Sequence, residues 1–166
     1  MTYLVGGAAA LLAALLELTL VPYLDVGGAH PHLVLVTAVV ATVALTFEIG
    51  LVVAVAGGLA LDILGPRPLG SSILVLLLVV GAVGLSSRVL DALRLVAPVV
   101  LTGIASPLFS LGLMVVLGVA EGRPWVDDPV GVVLPGTIYD VVLAALVGPL
   151  VVSVRARVLE AERFEW

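Results

Sequence analysis

Residues 32–64 read HLVLVTAVVATVALTFEIGLVVAVAGGLALDIL, a stretch whose formal charges are confined to Glu48 and Asp62. As one helix rising about 1.5 Å per residue it would run about 50 Å, well beyond a hydrocarbon core of about 30 Å. The chain must therefore fold back within it. Phe47, Glu48, Ile49 and Gly50 mark the expected turn, which gives two short apolar spans, 32–47 and 49–64, in a tight hairpin.

Working outward from this hairpin, the same reading adds spans at 3–22, 70–88, 95–119 and 130–154. Hydrophobic residues make up 62% of the 166 positions and the mean hydropathy is +1.33, so no stretch is left for a soluble module. The expected fold is all-α: one membrane domain over 1–166 with six transmembrane helices, short loops and a short C-terminal tail. The first span lacks the basic start and small-residue cleavage pattern of a signal peptide and reads as retained. Cysteine is absent, which removes disulfides, thiol nucleophiles and thiolate metal sites.

Pro22 and residues 25–32 end the first span, and Gly65, Pro66, Arg67 and Pro68 part the third from the fourth. Before the last span, Asp128 is placed to cap a helix that begins at Pro129, and Trp125 suits a membrane interface. With six spans both termini share a side. That side collects Arg88, Arg94, Arg155, Arg157 and Arg163, against Arg67 and Arg123 opposite. The positive-inside rule then makes both termini cytoplasmic. The tail, with Arg155 and Arg157 followed by Glu160, Glu162, Arg163 and Glu165, reads as a solvated helix end or as a cytoplasmic contact.

In such a chain function is sought in the polar exceptions. A carboxylate in hydrocarbon costs at least about 2.5 kcal/mol, so an acid inside a span needs a partner. Glu17 and Asp62 lie roughly 21 Å along their helices and Asp140 about 15 Å below the start of the last span, depths at which all three can meet. Small residues lead to two of them: Gly50, Ala54, Gly58 and Asp62 recur every fourth position, as do Gly136, Asp140, Ala144 and Gly148. Such ridges let backbones approach closely in a crossed contact. They serve either packing within the chain or self-association into a homo-oligomer. Thr102, Ser106 and Ser110 share the interval on the fifth span, where Pro107 marks an expected kink. The acids form either a partner-fixing or gating cluster or simply hydrogen-bonded packing groups.

His30 and His32 flank Pro31, but a metal would lack further ligands beyond Asp25, and none is expected. Asp127 and Asp128 are explained by capping. No nucleophile, phosphate-cradling loop or basic aromatic stripe for nucleic acid is visible, so no catalysis and no cofactor are expected.

The ordered set Glu17-Leu-Thr-Leu-Val-Pro22, Pro31-His32-Leu33, Glu48-Ile-Gly50, Gly58-Leu-Ala-Leu-Asp62, Pro68-Leu-Gly70, and Pro135 with Tyr139, Asp140 and Leu143-Ala144 resembles the rod-shape-determining protein MreD family over nearly the whole chain. His32 stands where that family commonly has Asp, Glu17 where it has an amide, and Asp140 where it has Asn. The resemblance implies a non-enzymatic scaffold of the bacterial inner membrane in the cell-elongation machinery. Its implied partner is an MreC-like single-span periplasmic protein, with indirect links to an MreB-like cytoskeleton and to peptidoglycan synthases. The implied fold is similar to the six-helix substrate-binding component of energy-coupling-factor transporters, which raises a rival: a vitamin-capturing subunit. Aromatic residues are only 5% of the chain, too few to furnish a pocket for a flat ligand. On the favoured reading the polar cluster is Glu17, Asp62, Pro68, Gly70, Tyr139 and Asp140, with Gly58 and Gly136 allowing close helix approach.

Overall fold

The computed structural model describes residues 2–24, 30–87, 95–122 and 128–163. Expectations that rest on Asp25, Arg88, Arg94, Arg123, Trp125, Asp127 and Glu165 lie outside the described residues. Six helices follow one another: α1 Thr2–Leu24, α2 Leu33–Val40 continued by a π-helical turn Ala41–Leu45, α3 Phe47–Leu64, α4 Ser71–Ser87, α5 Ala97–Glu121 and α6 Pro129–Arg163. Four of them hold segments long and apolar enough to cross a membrane, Thr2–Leu20, Phe47–Leu64, Ala97–Glu121 and Pro129–Arg155. The other two, Leu33–Leu45 and Ser71–Ser87, are apolar but shorter.

The hairpin turns one residue earlier than the sequence indicates. Thr46 alone leaves helical geometry, at φ −148° and ψ 155°, and its hydroxyl accepts from the Ile49 N–H at 3.3 Å. A threonine that breaks one helix and caps the next does both jobs in one position, so Phe47, Glu48, Ile49 and Gly50 already belong to α3. Gly50 is therefore a contact glycine rather than a turn glycine. A Cβ there would lie 1.9 Å from Thr42 Oγ1 and 3.1 Å from Thr42 Cα, so its absence lets the π-helical turn lie against α3. Pro22 likewise does not end the first helix, which runs on to Leu24.

Helix α2 is the axis of the bundle, and each of the other five helices touches it. Val34, Leu35, Val36, Ala38, Val39 and Val40 are all buried, because every side of the helix has a neighbour. The ridges seen in the sequence pack inside the chain. Ala54 is fully buried, Gly58 admits the Ile73 backbone of α4, and Gly148 faces Pro98 of α5. Gly136 sits in ordinary contact with His30 and His32, while Ala144 packs with Val36, Val40 and Ala44. Outward faces are just as apolar. On α6, Leu134, Ile138, Val142, Leu146 and Leu150 form an exposed row at four-residue spacing. In water such a row would drive association; against lipid it costs nothing, because acyl chains are as apolar as leucine.

Candidate functional site: buried carboxylates at two helix starts

A helix leaves its first backbone N–H groups without internal partners, and in hydrocarbon each orphan costs several kcal/mol. Helices α2 and α4 are the short ones, and both begin inside protein. Their first residues offer little help: the His32 side chain does not cap its own helix. Acids on neighbouring helices supply what is missing.

At the start of α2, Glu17 from α1 accepts from the Val34 N–H at 3.0 Å, and Asp140 from α6 accepts from the His32 N–H at 2.7 Å. Asp140 also pairs with His32 Nδ1 at 2.9 Å, and its Oδ2 accepts from the Ser106 hydroxyl of α5 at 2.6 Å. Thr137 extends this group at 3.4 Å from Ser106. Phe109 packs edge-to-face with His32, with ring centroids 5.2 Å apart. Four helices thus converge on one knot, in which Glu17 is 2% and Asp140 0% exposed.

Asp62 serves α4 instead. It accepts from the Gly70 N–H at 2.8 Å and from the Ser72 N–H at 3.0 Å, one carboxylate closing the loop between α3 and α4. That loop bends at Gly70, whose φ of +93° only glycine adopts readily. Pro68 closes the remaining bond, its carbonyl accepting from the Ser71 N–H at 3.2 Å and hydroxyl at 2.8 Å. Of the three acids expected to meet, Glu17 and Asp140 share the α2 start while Asp62 holds a separate one. Tyr139 is half-buried, and no hydrogen bond of its hydroxyl is found among the described residues.

Several contributors do not stand out in the sequence. His32 presents itself there as a possible metal ligand, although its place beside Pro31 at a helix entrance is a sign of its actual role. Ser106 belongs to a visible ridge, yet its acceptor lies on another helix. Arg155, which enters the topology through its charge alone, donates to the carbonyls of Ala44 at 2.5 Å and Leu45 at 2.6 Å. Thr102 on the Ser106 ridge is buried, and among the described residues its hydroxyl has no partner. Asp128 accepts from the Gly131 N–H at 3.0 Å, capping α6 behind Pro129.

Ser106, His32 and Asp140 are the residue types of a hydrolytic triad, but the connectivity is wrong for one. Serine and imidazole both bond the same carboxylate oxygen, so the hydroxyl proton points at aspartate rather than at a histidine base. The arrangement holds helices together.

Beside the knot lies a half-open cleft of about 110 Å³ whose polar wall is His30, His32, Arg67 and Ser110. Arg67 lies within electrostatic reach of Glu17 and His32, and its guanidinium donates to Ser72 Oγ at 3.3 Å. A larger apolar groove of about 390 Å³ runs between α4 and α5.

The family model described as rod shape-determining protein MreD matches residues 1–154. No curated protein and no solved structure gives a match.

Proposed function

The chain belongs to the MreD family of rod shape-determining proteins, a multi-pass membrane protein of the cell-shape system, and on that premise we propose that it is a non-enzymatic scaffold of the bacterial inner membrane. It binds an MreC-like single-span protein along one helical face and that partner's periplasmic extension near the loops. Through this partner it helps organise the MreB-like cytoskeleton and the peptidoglycan synthases. Both termini are cytoplasmic on this reading, which the arginine distribution supports. The starts of α2 and α4, with Glu17, Asp62, Asp140, Pro68, Gly70 and Tyr139 around them, then face the periplasmic half.

One observation carries the scaffold reading beyond the family assignment: each buried carboxylate is committed to a helix start, Glu17 to Val34, Asp140 to His32 and Asp62 to Gly70 and Ser72. Acids held in this way stiffen a bundle, and none of these three is free to serve as a base. The rival, capture of a vitamin by a transporter component, needs a pocket of about 300 Å³ or more with convergent polar groups. The polar cleft of about 110 Å³ is well short of that, and the groove of about 390 Å³ has Ser86 as the one polar side chain of its lining.

Co-purification from native membrane with the MreC-like protein of the same organism, read by mass spectrometry, tests the proposal. Asp62→Leu and Asp140→Leu should each lower complex yield in a graded way. Unchanged yield for both variants in monodisperse protein would remove the cluster from partner binding. A co-purifying vitamin in place of a protein partner would favour the rival.

A further inference from the structure

The cleft beside the α2 start has two walls of different chemistry. On one side stand Arg67, His30, His32 and Ser110; on the other are the aliphatic side chains of Leu113, Met114 and Leu117 from α5 and Val132 from α6. Among the described residues Arg67 has no carboxylate within salt-bridge distance, and the one bond its guanidinium makes is to the Ser72 hydroxyl. A guanidinium so placed at the end of a membrane bundle, next to the Ser110 hydroxyl, is a binding arrangement for an oxyanion. The space, about 110 Å³, is enough for a single tetrahedral group.

We propose that this cleft seats the phosphate of an anionic phospholipid, with an acyl chain running along the apolar wall between α5 and α6. A free phosphate would find half of the lining useless to it. The half-open shape and the continuation of that wall into segments apolar enough to cross the membrane favour a headgroup attached to hydrocarbon. Gly136 forms the floor: a Cβ there would stand 3.6 Å from the His30 carbonyl and 3.7 Å from His32 Cε1, so its missing side chain is part of the available volume. A lipid seated here requires nothing of the protein partner that the scaffold binds.

Native mass spectrometry of the full-length chain in detergent micelles provides the test, with phosphatidylglycerol, diacylglycerol of the same chains and inorganic phosphate as probes. The expected result is one phosphatidylglycerol retained by the unaltered protein and at least about tenfold less diacylglycerol, a ratio equivalent to about 1.4 kcal/mol. Arg67→Gln and Gly136→Val should each lower retention by about tenfold, the first by removing the cation and the second by filling the space, whereas Arg67→Lys should keep most of it. Should Arg67→Gln fail to fold, a folded Gly136→Val or Gly136→Ala protein decides, since the Cβ of an alanine there meets only ordinary contacts. Equal retention of diacylglycerol, or full retention by a folded Gly136→Val protein, would overturn the site. Displacement of the lipid by millimolar inorganic phosphate, or by an acidic peptide at similar concentration, would overturn the lipid assignment.

Discussion

Asp140 and Arg155, about four turns apart on α6, hold opposite ends of α2. Asp140 takes the His32 N–H at its start and Arg155 donates to the Ala44 and Leu45 carbonyls at its finish. The separation along α6 is about 22 Å, and α2 with its π-helical turn is about 20 Å long, so the two helices run in parallel with their groups in register. The signs also match the helix dipole: carboxylate at the positive end and guanidinium at the negative end. A short apolar helix, whose Thr37 and Thr42 hydroxyls donate to carbonyls within it, is thereby fixed at both ends from outside.

Replacing Arg155 with Gln should weaken the fold by about 1.5–3 kcal/mol, the range for hydrogen bonds to a charged group. Lysine should recover part of this, because an ammonium keeps the charge but not the fork geometry. Thermal unfolding in micelles reads both. An unchanged midpoint for Arg155→Gln would show that α2 needs no hold at that end.

Asp140→Leu leaves the His32 N–H, the imidazole and the Ser106 hydroxyl without their acceptor, and a loss of about 2–4 kcal/mol is expected. Asp140→Asn should lose about half as much, since its carbonyl oxygen can still accept from the backbone. A double-mutant cycle of Asp140→Ala with Ser106→Ala should give a coupling of about 0.6–1.7 kcal/mol, the range found between membrane helices. Strict additivity would mean that the bond between them contributes nothing.

A methyl group on Gly70 would find nothing within 4 Å, but the residue sits at φ +93°. Its replacement by Ala should therefore cost about 1–2 kcal/mol through backbone conformation alone. Gly122, at φ 63° and ψ 24° behind α5, lies where asparagine is also accommodated, so Gly122→Asn should cost less than Gly70→Asn. The order of the two melting temperatures checks this.

Gly50→Ala drives a methyl into Thr42 of the π-helical turn, and overpacking of this kind costs about 1–3 kcal/mol. Thr42→Ala in the same chain should restore only part, because the Thr42 Cα is itself 3.1 Å away. Gly81→Ala on α4 meets nothing within 4 Å and should stabilise by about 0.5–1 kcal/mol through helix propensity. Equal effects at positions 50 and 81 would contradict the close contact.

Thr102→Val removes a buried hydroxyl that has no partner among the described residues while keeping the side-chain shape. A gain of about 1 kcal/mol is expected, since an unsatisfied polar group is desolvated without return. A loss instead would show that the hydroxyl is bonded in the membrane-embedded protein.

The membrane character, the six helices and the acids worth explaining are legible in the sequence, because length, hydropathy and the cost of charge in hydrocarbon are properties of local segments. Glu17, Asp62 and Asp140 stand out by that cost alone, and Asp128 before Pro129 announces its cap. The turn falls one residue earlier than expected because Thr46 serves as breaker and cap together, whereas glycine is the commoner signal. What each acid answers is not written locally. A helix start inside the bundle needs acceptors from other chain segments, and which segments arrive there is set by packing. Hydropathy and segment length thus suffice to send apolar rods with rare carboxylates into a bilayer. That these carboxylates, with Arg155, complete the ends that α2 and α4 lack is a property of the assembled bundle, because unsatisfied backbone groups in a low-dielectric interior select whichever neighbour brings the matching charge.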